Sequence, residues 1–168
     1  MHTLYVLSVF LHIVSATIWM GGMLFLVLVV VPWLRAEGRG RAGAFLRETG
    51  ERFRSVGWWC FAVLAVTGAF NLHVRGVGLT TLVQGEFWRG SFGRTLGLKL
   101  ALVVTVWGVS WVHDFVVGPR ATRLIEAAPQ GPEANRVRKL ASRLGRINVI
   151  LGLLIVLLAV MLVRGVPF

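Results

Sequence analysis

The chain has 168 residues, of which 56% are hydrophobic and only 15% charged, and its mean hydropathy is +0.75. Soluble domains are about 45–50% apolar and about 25% charged, so this composition excludes a soluble domain and predicts an integral membrane protein. The net charge of +11 does not indicate a nucleic-acid partner, because the basic residues lie in short segments between long apolar runs.

Four apolar segments are long enough to cross the hydrocarbon core, which takes about 20 helical residues. They cover approximately residues 4–33, 56–74, 96–118 and 147–164. The first run continues well past the length of a secretory signal core, so we expect it to be retained as a helix. The sequence therefore predicts one all-α domain over residues 1–168, an antiparallel four-helix bundle embedded in the lipid bilayer.

The basic residues predict the orientation of this bundle. Residues 35–54 carry six arginines and residues 119–146 carry seven basic residues, whereas the middle loop, residues 75–95, carries three. By the positive-inside rule the two more basic loops face the cytoplasm. The middle loop and both termini are then expected on the outer side of the cell inner membrane.

A faint internal repeat relates the two halves of the chain. VVVPWLR at 29–35 resembles VVGPRATR at 116–123 with an offset of 87 residues, and ERFRSVGWW at 51–59 resembles SRLGRINVI at 142–150 with an offset of 91. Such offsets predict two related helical hairpins, as in membrane folds built from parallel repeats.

Four nitrogen-bearing side chains in the apolar spans are expected at one depth, near the outer face. They lie 18 to 21 residues from the expected cytoplasmic span ends, or about 27–32 Å along a helix. These residues are His12, His73, Lys99 and Arg164, and the repeat pairs the first with the third and the second with the fourth. Ionisable groups inside a membrane are costly to bury and are functional by default, although groups near a span end also snorkel to the interface.

This layer suggests a haem site. Two imidazoles from different helices, His12 and His73, can supply both axial ligands of a b-type haem. Lys99 and Arg164 would then neutralise the two propionates. The predicted function is electron transfer or a coupled oxidation, which leaves open whether the protein is a membrane haem-dependent oxidoreductase. Such a function implies a redox partner or a second copy of the chain.

Copper binding is the alternative hypothesis. His12, Met20 and Met23 offer an imidazole and two thioethers on the first span, and these ligands suit Cu(I). A copper uptake or handling protein would use them, whereas methionine in an apolar helix is more often a packing residue. The single cysteine, Cys60, excludes an intrachain disulfide and is expected to be a packing residue. A structural subunit that binds nothing is the third hypothesis.

A second polar group is expected at the cytoplasmic end of the third span. His113 is a candidate for proton relay or for binding a second metal ion. The neighbouring Asp114 is expected to anchor basic residues of the adjoining loop. A second haem held by two histidines is not expected here, because no other histidine is expected at this depth.

Three stretches, LHIVSATIWMGGMLFLVLVVVP, GRTLGLKLALVV and HDFVVGPR, resemble the membrane domain of the copper-resistance protein D (CopD-like) family. The first contains Leu-His followed by Trp-x-Gly-Gly, the second a Gly-Arg…Lys-Leu pattern, and the third ends in Pro-Arg. This resemblance covers almost the whole chain and implies copper handling.

The chain is also distantly similar to the HemJ-type protoporphyrinogen oxidases, another four-helix membrane family. That resemblance implies a haem b, and its first-helix histidine and third-helix lysine correspond to His12 and Lys99. The chain departs from this family in two places. His113 lies about one helical turn beyond the expected position, and RIN at 146–148 lacks the glutamate of the Arg-x-x-Asn-Glu region, which weakens the implied oxidation chemistry.

Overall fold

The computed structural model describes residues 1–36, 39–128 and 131–165, and within these ranges it is helical with no strand. Four of its helical stretches are long and apolar enough to cross a membrane: His2–Trp33, Arg47–Val74, Ser91–Ile125 and Pro132–Arg164. The predicted all-α architecture with four spans is therefore confirmed. The placement of both termini on the outer side stays a prediction.

The first hairpin consists of two long helical stretches. The first stretch begins with α1 (His2–Phe25), continues through a π-helical segment (Leu26–Val30) and ends with α2 (Val31–Ala36). The second is a single helix, α3 (Arg39–Val74). α1 packs along α3, and this is the most extensive helix pairing in the first half of the chain.

The second hairpin has the same organisation. α5 (Ser91–Trp111) continues through a second π-helical segment (Val112–Val117) into α6 (Gly118–Ala127). α7 (Pro132–Arg164) returns along α5. The loop between the hairpins contains only the short helix α4 (Leu79–Leu82) and a 3-10 turn.

The two basic loops differ from the expectation because most of their described residues are helical. α3 begins at Arg39 and α7 begins at Pro132, so both helices start well before the apolar segment that crosses the membrane. Arginine and glutamate are good helix formers, and proline suits the first position of a helix, where no N–H partner is needed.

The structure supports the internal repeat. Each π-helical segment ends two residues before a proline, Pro32 in the first half and Pro119 in the second. Proline lacks the N–H that a regular α-helical hydrogen bond needs. Buried residues also recur with the two sequence offsets. Four of the six buried residues described on the first span have a buried counterpart 87 residues later: Ser8 and Thr95, Trp19 and Val106, Met23 and Ser110, and Val30 and Val117. Three of the four buried residues described on α3 have a buried counterpart on α7 91 residues later: Gly57 and Asn148, Phe61 and Gly152, and Thr67 and Leu158.

The centre of the bundle is a buried cluster to which all four spans contribute, which we call the mid-membrane cluster. Its members are Trp19, Met20, Met23, Cys60, Phe61, Val106 and Val149. α1 meets α7 here because Gly152 leaves room for the methyl group of Met20, which a Cβ at that position would strike. Many aliphatic side chains instead face outward, as expected in lipid.

We expect Gly93→Ala to destabilise the protein. A Cβ at Gly93 would collide with the backbone of Phe87 and Trp88, in the turn that packs on the start of α5. Backbone atoms cannot rotate away, so the cost is about 1–3 kcal/mol. Gly108→Ala on the same helix is the matched control, because nothing lies within 4 Å of its Cβ position. Thermal unfolding in detergent should show a lower midpoint for Gly93→Ala alone, and equal midpoints would contradict the packing of this turn.

Candidate functional site

The candidate site begins with a hydrogen bond between the first two spans. His12 Nδ1 on α1 lies 2.8 Å from Thr67 Oγ1 on α3. Thr67 is buried and His12 is partly buried. The ring also lies beside Gly68 of α3, where a Cβ would be in ordinary van der Waals contact with the imidazole Cε1 at 3.4 Å. The imidazole therefore faces the α1–α3 interface rather than lipid.

The partners of Thr67 determine the tautomer of His12. The Thr67 hydroxyl donates its only proton to the Val63 carbonyl, 2.6 Å away. Its oxygen must then accept from Nδ1–H of His12. The neutral ring consequently keeps a free lone pair on Nε2. A histidine held in this way through its other nitrogen is prepared to bind a metal, because the second hydrogen bond orients the ring.

Further polar groups extend the site on both helices. The buried Ser8 hydroxyl, one turn before His12, donates a long hydrogen bond of 3.5 Å to the Thr67 carbonyl. Asn71, one turn after Thr67, has a buried Oδ1 with no hydrogen-bond partner among the described residues. An unsatisfied buried acceptor carries a desolvation cost. This cost makes Asn71 a natural place for a ligand or a water to donate a hydrogen bond.

Two cations lie toward the outer end of this polar layer, the partly buried Lys99 and the exposed Arg75. Lys99 on α5 lies near enough to His12 for its charge to act on the imidazole, and Arg75 acts in the same way on Lys99. Arg75 also donates from Nε to the Tyr5 hydroxyl at 3.4 Å. We call these residues, His12, Thr67, Asn71, Arg75 and Lys99, the outer polar site.

No carboxylate pairs with the cations of the outer polar site within the described ranges. The ion pairs seen there involve Glu48, Asp114 and Glu133, which belong to the expected cytoplasmic half. Lys99 has neither a hydrogen bond nor an ion pair with any residue that the structure describes. An excess of positive charge that the protein itself leaves unpaired favours an anionic ligand.

His73 and Arg164, the other members of the predicted layer, are not brought to the outer polar site. His73 is exposed in the last turn of α3. It follows Thr67 by six residues, so it points about 120° away from Thr67 around the helix axis. Arg164 is exposed as the last residue of α7. The structure thus places His12 and Lys99 together and leaves His73 and Arg164 at the periphery.

The three ligands of the copper hypothesis are not brought together at one point. Met20 and Met23 are buried in the mid-membrane cluster, about 12 and 16 Å along α1 from His12. Cys60 joins them there from α3. The imidazole of His12 is therefore far from the two thioethers, whereas the Cys60 thiol belongs to the same cluster as they do.

The second polar group, His113 and Asp114, packs against α3 through hydrogen bonds to Asp114. Asp114 accepts from Trp58 Nε1 at 3.1 Å, and its carbonyl accepts from Arg54 at 3.2 Å. His113 Nδ1 lies 2.9 Å from the other Asp114 carboxylate oxygen. Asp114 therefore contacts Arg54 of α3 through its backbone carbonyl, whereas its carboxylate contacts Trp58 and His113 and not a basic residue of the adjoining loop. Among the described residues, no group of three His, Cys, Asp or Glu side chains is arranged to hold a metal, so a role of His113 as a metal ligand stays a prediction.

Three residues of the outer polar site were not predicted: Thr67, Asn71 and Arg75. A sequence signal for them existed, because they follow one another at four-residue steps and therefore lie close to one face of α3. Tyr5, Ser8 and His12 have the matching three- and four-residue steps on α1.

Comparisons with known proteins agree with this architecture. The family model of Copper resistance protein D (CopD) matches residues 47–162. The chain belongs to the CopD family. It is also 37% identical over 159 residues to a protein of Aquifex aeolicus (strain VF5), described only as uncharacterized, and the match covers 95% of each chain. No solved structure matches the chain.

Membership in the CopD family identifies a multi-pass membrane protein of a copper-resistance family. The matched range contains Thr67, Arg75 and Lys99. It begins at residue 47, after the first span, so it does not include His12. The role of the first span must therefore be argued from its contacts.

Proposed function

We propose that this CopD-family protein binds haem b in the outer polar site and uses it in electron transfer or a coupled oxidation. His12 would provide an axial ligand through Nε2, and Lys99 and Arg75 would hold the propionates. The observation that carries the proposal is the pairing of a free imidazole lone pair with a lysine that has no partner among the described residues. Haem supplies both missing partners, a metal and two carboxylates.

The charge of the site favours haem over a bare copper ion at His12. Lys99, which is partly buried on α5, and Arg75, which is exposed just beyond the second span, both repel a free cation, and no described carboxylate forms an ion pair with either. A porphyrin with two propionates brings the opposite charge. The same two residues therefore oppose one ligand and stabilise the other.

The remaining residues of the site would orient the ligand. Thr67 holds the His12 ring through Nδ1, and this second bond also raises the basicity of the ligating nitrogen. Asn71 Oδ1 can accept a hydrogen bond from a water beside the ligand. Bound haem would contribute one-electron chemistry, while the chain contributes the ligand, the charges and the apolar surroundings. His73, the second predicted axial ligand, is exposed in the last turn of α3, and this proposal does not require it.

An absorption spectrum tests this proposal directly. Protein purified in detergent from cells with ample haem should show a Soret band, a b-type pyridine haemochrome and iron in proportion to the chain. A folded, monodisperse preparation without porphyrin, even after incubation with added haem, would contradict it.

A further inference from the structure

A groove at the expected cytoplasmic end of the bundle is separate from the outer polar site. It has a volume of about 410 Å³ and lies between α3 and the second π-helical segment. Small-molecule sites typically have volumes of about 300–1,000 Å³, so the groove is large enough for a ligand. The residues of α3 that line it follow three- and four-residue steps and share one face of the helix. The lining residues are Glu51, Arg54, Ser55, Trp58 and Trp59 of α3, together with Phe115.

The groove crosses the boundary between the charged and the apolar part of α3. Residues 39–55 are rich in arginine and glutamate, whereas the apolar part of the span begins near residue 56. One end of the groove is therefore polar, and the other end is formed by Trp58 and Trp59. Trp59 is 74% exposed, and an uncovered indole at this level is typical of the membrane–water interface. A ligand that fits this groove must have one polar and one apolar end, as a phospholipid has.

Arg54 is oriented at the polar end of the groove but keeps most of its hydrogen-bond donors. It donates one hydrogen bond of 3.2 Å to the Asp114 carbonyl, and its Cζ lies 5.5 Å from the centre of the Phe115 ring. A guanidinium group has five N–H donors, and the others have no partner among the residues that the structure describes. Phosphate oxygens accept such donors in pairs. Arg54 is therefore prepared to hold a phosphate group.

Glu51 supplies a negative charge to the same groove. It is exposed and forms no ion pair with Arg54 or with any other described residue. The neighbouring charges of α3 differ in this respect, because Glu48 and Arg52 pair with each other at 2.7 Å. One unpaired cation and one unpaired anion in a single groove match a zwitterion better than an anion.

We propose that this groove binds the headgroup of phosphatidylethanolamine. Arg54 holds the phosphate, Glu51 accepts hydrogen bonds from the primary ammonium, and the aromatic side chains contact the glycerol and the first acyl carbons. A primary ammonium has N–H donors for the carboxylate, whereas the quaternary ammonium of phosphatidylcholine has none. The groove lies about 20 Å along α3 from Thr67, so this inference does not depend on haem in the outer polar site.

Native mass spectrometry of the delipidated protein in detergent tests the proposal. The protein is titrated with phosphatidylethanolamine, phosphatidylcholine and phosphatidylglycerol that carry the same acyl chains, so that only the headgroups differ. We expect one phosphatidylethanolamine per chain to bind roughly tenfold more tightly than either of the other lipids. Equal binding of the three lipids, or a preference for phosphatidylcholine or phosphatidylglycerol, would overturn the proposal.

Two pairs of variants assign the site. Arg54→Gln should weaken phosphatidylethanolamine binding about tenfold, and Glu51→Gln should remove the preference for phosphatidylethanolamine over phosphatidylcholine. Arg52→Gln and Glu48→Gln are the matched controls, because they remove the same charges from a separate groove and should leave binding and preference unchanged.

The thermal transition of each variant shows whether it folds. Glu51 is exposed, so Glu51→Gln tests the site even if Arg54→Gln lowers the midpoint of unfolding. If Glu51→Gln kept the native lipid preference, or if Glu48→Gln lost it, the groove would not be the binding site.

Discussion

His12→Ala is expected to abolish the Soret band of the purified protein and to reduce bound iron to background. The substitution removes the one imidazole that the structure places in the outer polar site, with its Nδ1 held by Thr67 and its Nε2 free. No other histidine contacts this site within the described ranges. The loss of porphyrin should be measured against protein concentration, with thermal unfolding as a check on folding.

His73→Ala is the matched control for His12→Ala. The two histidines were expected at one depth, but His73 is exposed and points away from Thr67. We expect His73→Ala to retain the Soret band, while Thr67→Val should shift and weaken it because the ring loses its orienting partner. A native spectrum from His12→Ala would refute the assignment of the axial ligand, and loss of haem from His73→Ala would restore the two-imidazole arrangement.

Lys99→Met is expected to have opposite effects on the haem-free and haem-bound protein. Without haem, removing a partly buried cation that has no described partner should raise the free energy of unfolding by about 1–2 kcal/mol. With haem, loss of a charged hydrogen bond to a propionate, worth about 1.5–3 kcal/mol, should weaken haem binding by roughly tenfold or more. Thermal unfolding of the haem-free protein and haem transfer to an acceptor globin measure the two effects.

Lys139→Met controls for the removal of positive charge, because Lys139 is exposed near the start of α7, away from the outer polar site. It should leave both quantities near their native values. If Lys99→Met stabilised the haem-free protein and left haem binding unchanged, Lys99 would not interact with the ligand. A purely structural lysine would give destabilisation instead.

The four spans could be predicted from the sequence because the mean hydropathy of a segment of about 20 residues depends only on the residues in that segment. Four runs of about 20 apolar residues predict four helices, and the structure contains four. The bounds were less accurate at the basic ends, where charged helix formers extend α3 and α7 beyond the apolar runs. The offsets of the repeat could also be read from the sequence, and they pair His12 with Lys99.

The site was predicted only in part, because depth in the membrane and direction around a helix are separate quantities. Counting residues from the span ends placed four nitrogen groups at one level, but it carried no information on which way each side chain points. His73 illustrates the difference, since its level was expected to match that of His12 while its direction is about 120° from Thr67. Thr67 and Asn71 were overlooked because neither is charged.

The sequence by itself determined that this protein crosses the membrane four times as helices and that few ionisable groups are placed within those spans, since the cost of polar groups in lipid acts residue by residue. Only the tertiary structure decided which of those groups meet. The rotation of each helix and the register of α1 against its neighbours depend on side-chain packing, including the space that Gly152 leaves beside the methyl group of Met20. Such packing brings His12 to Thr67 and buries the sulfur atoms of Met20, Met23 and Cys60 in the mid-membrane cluster.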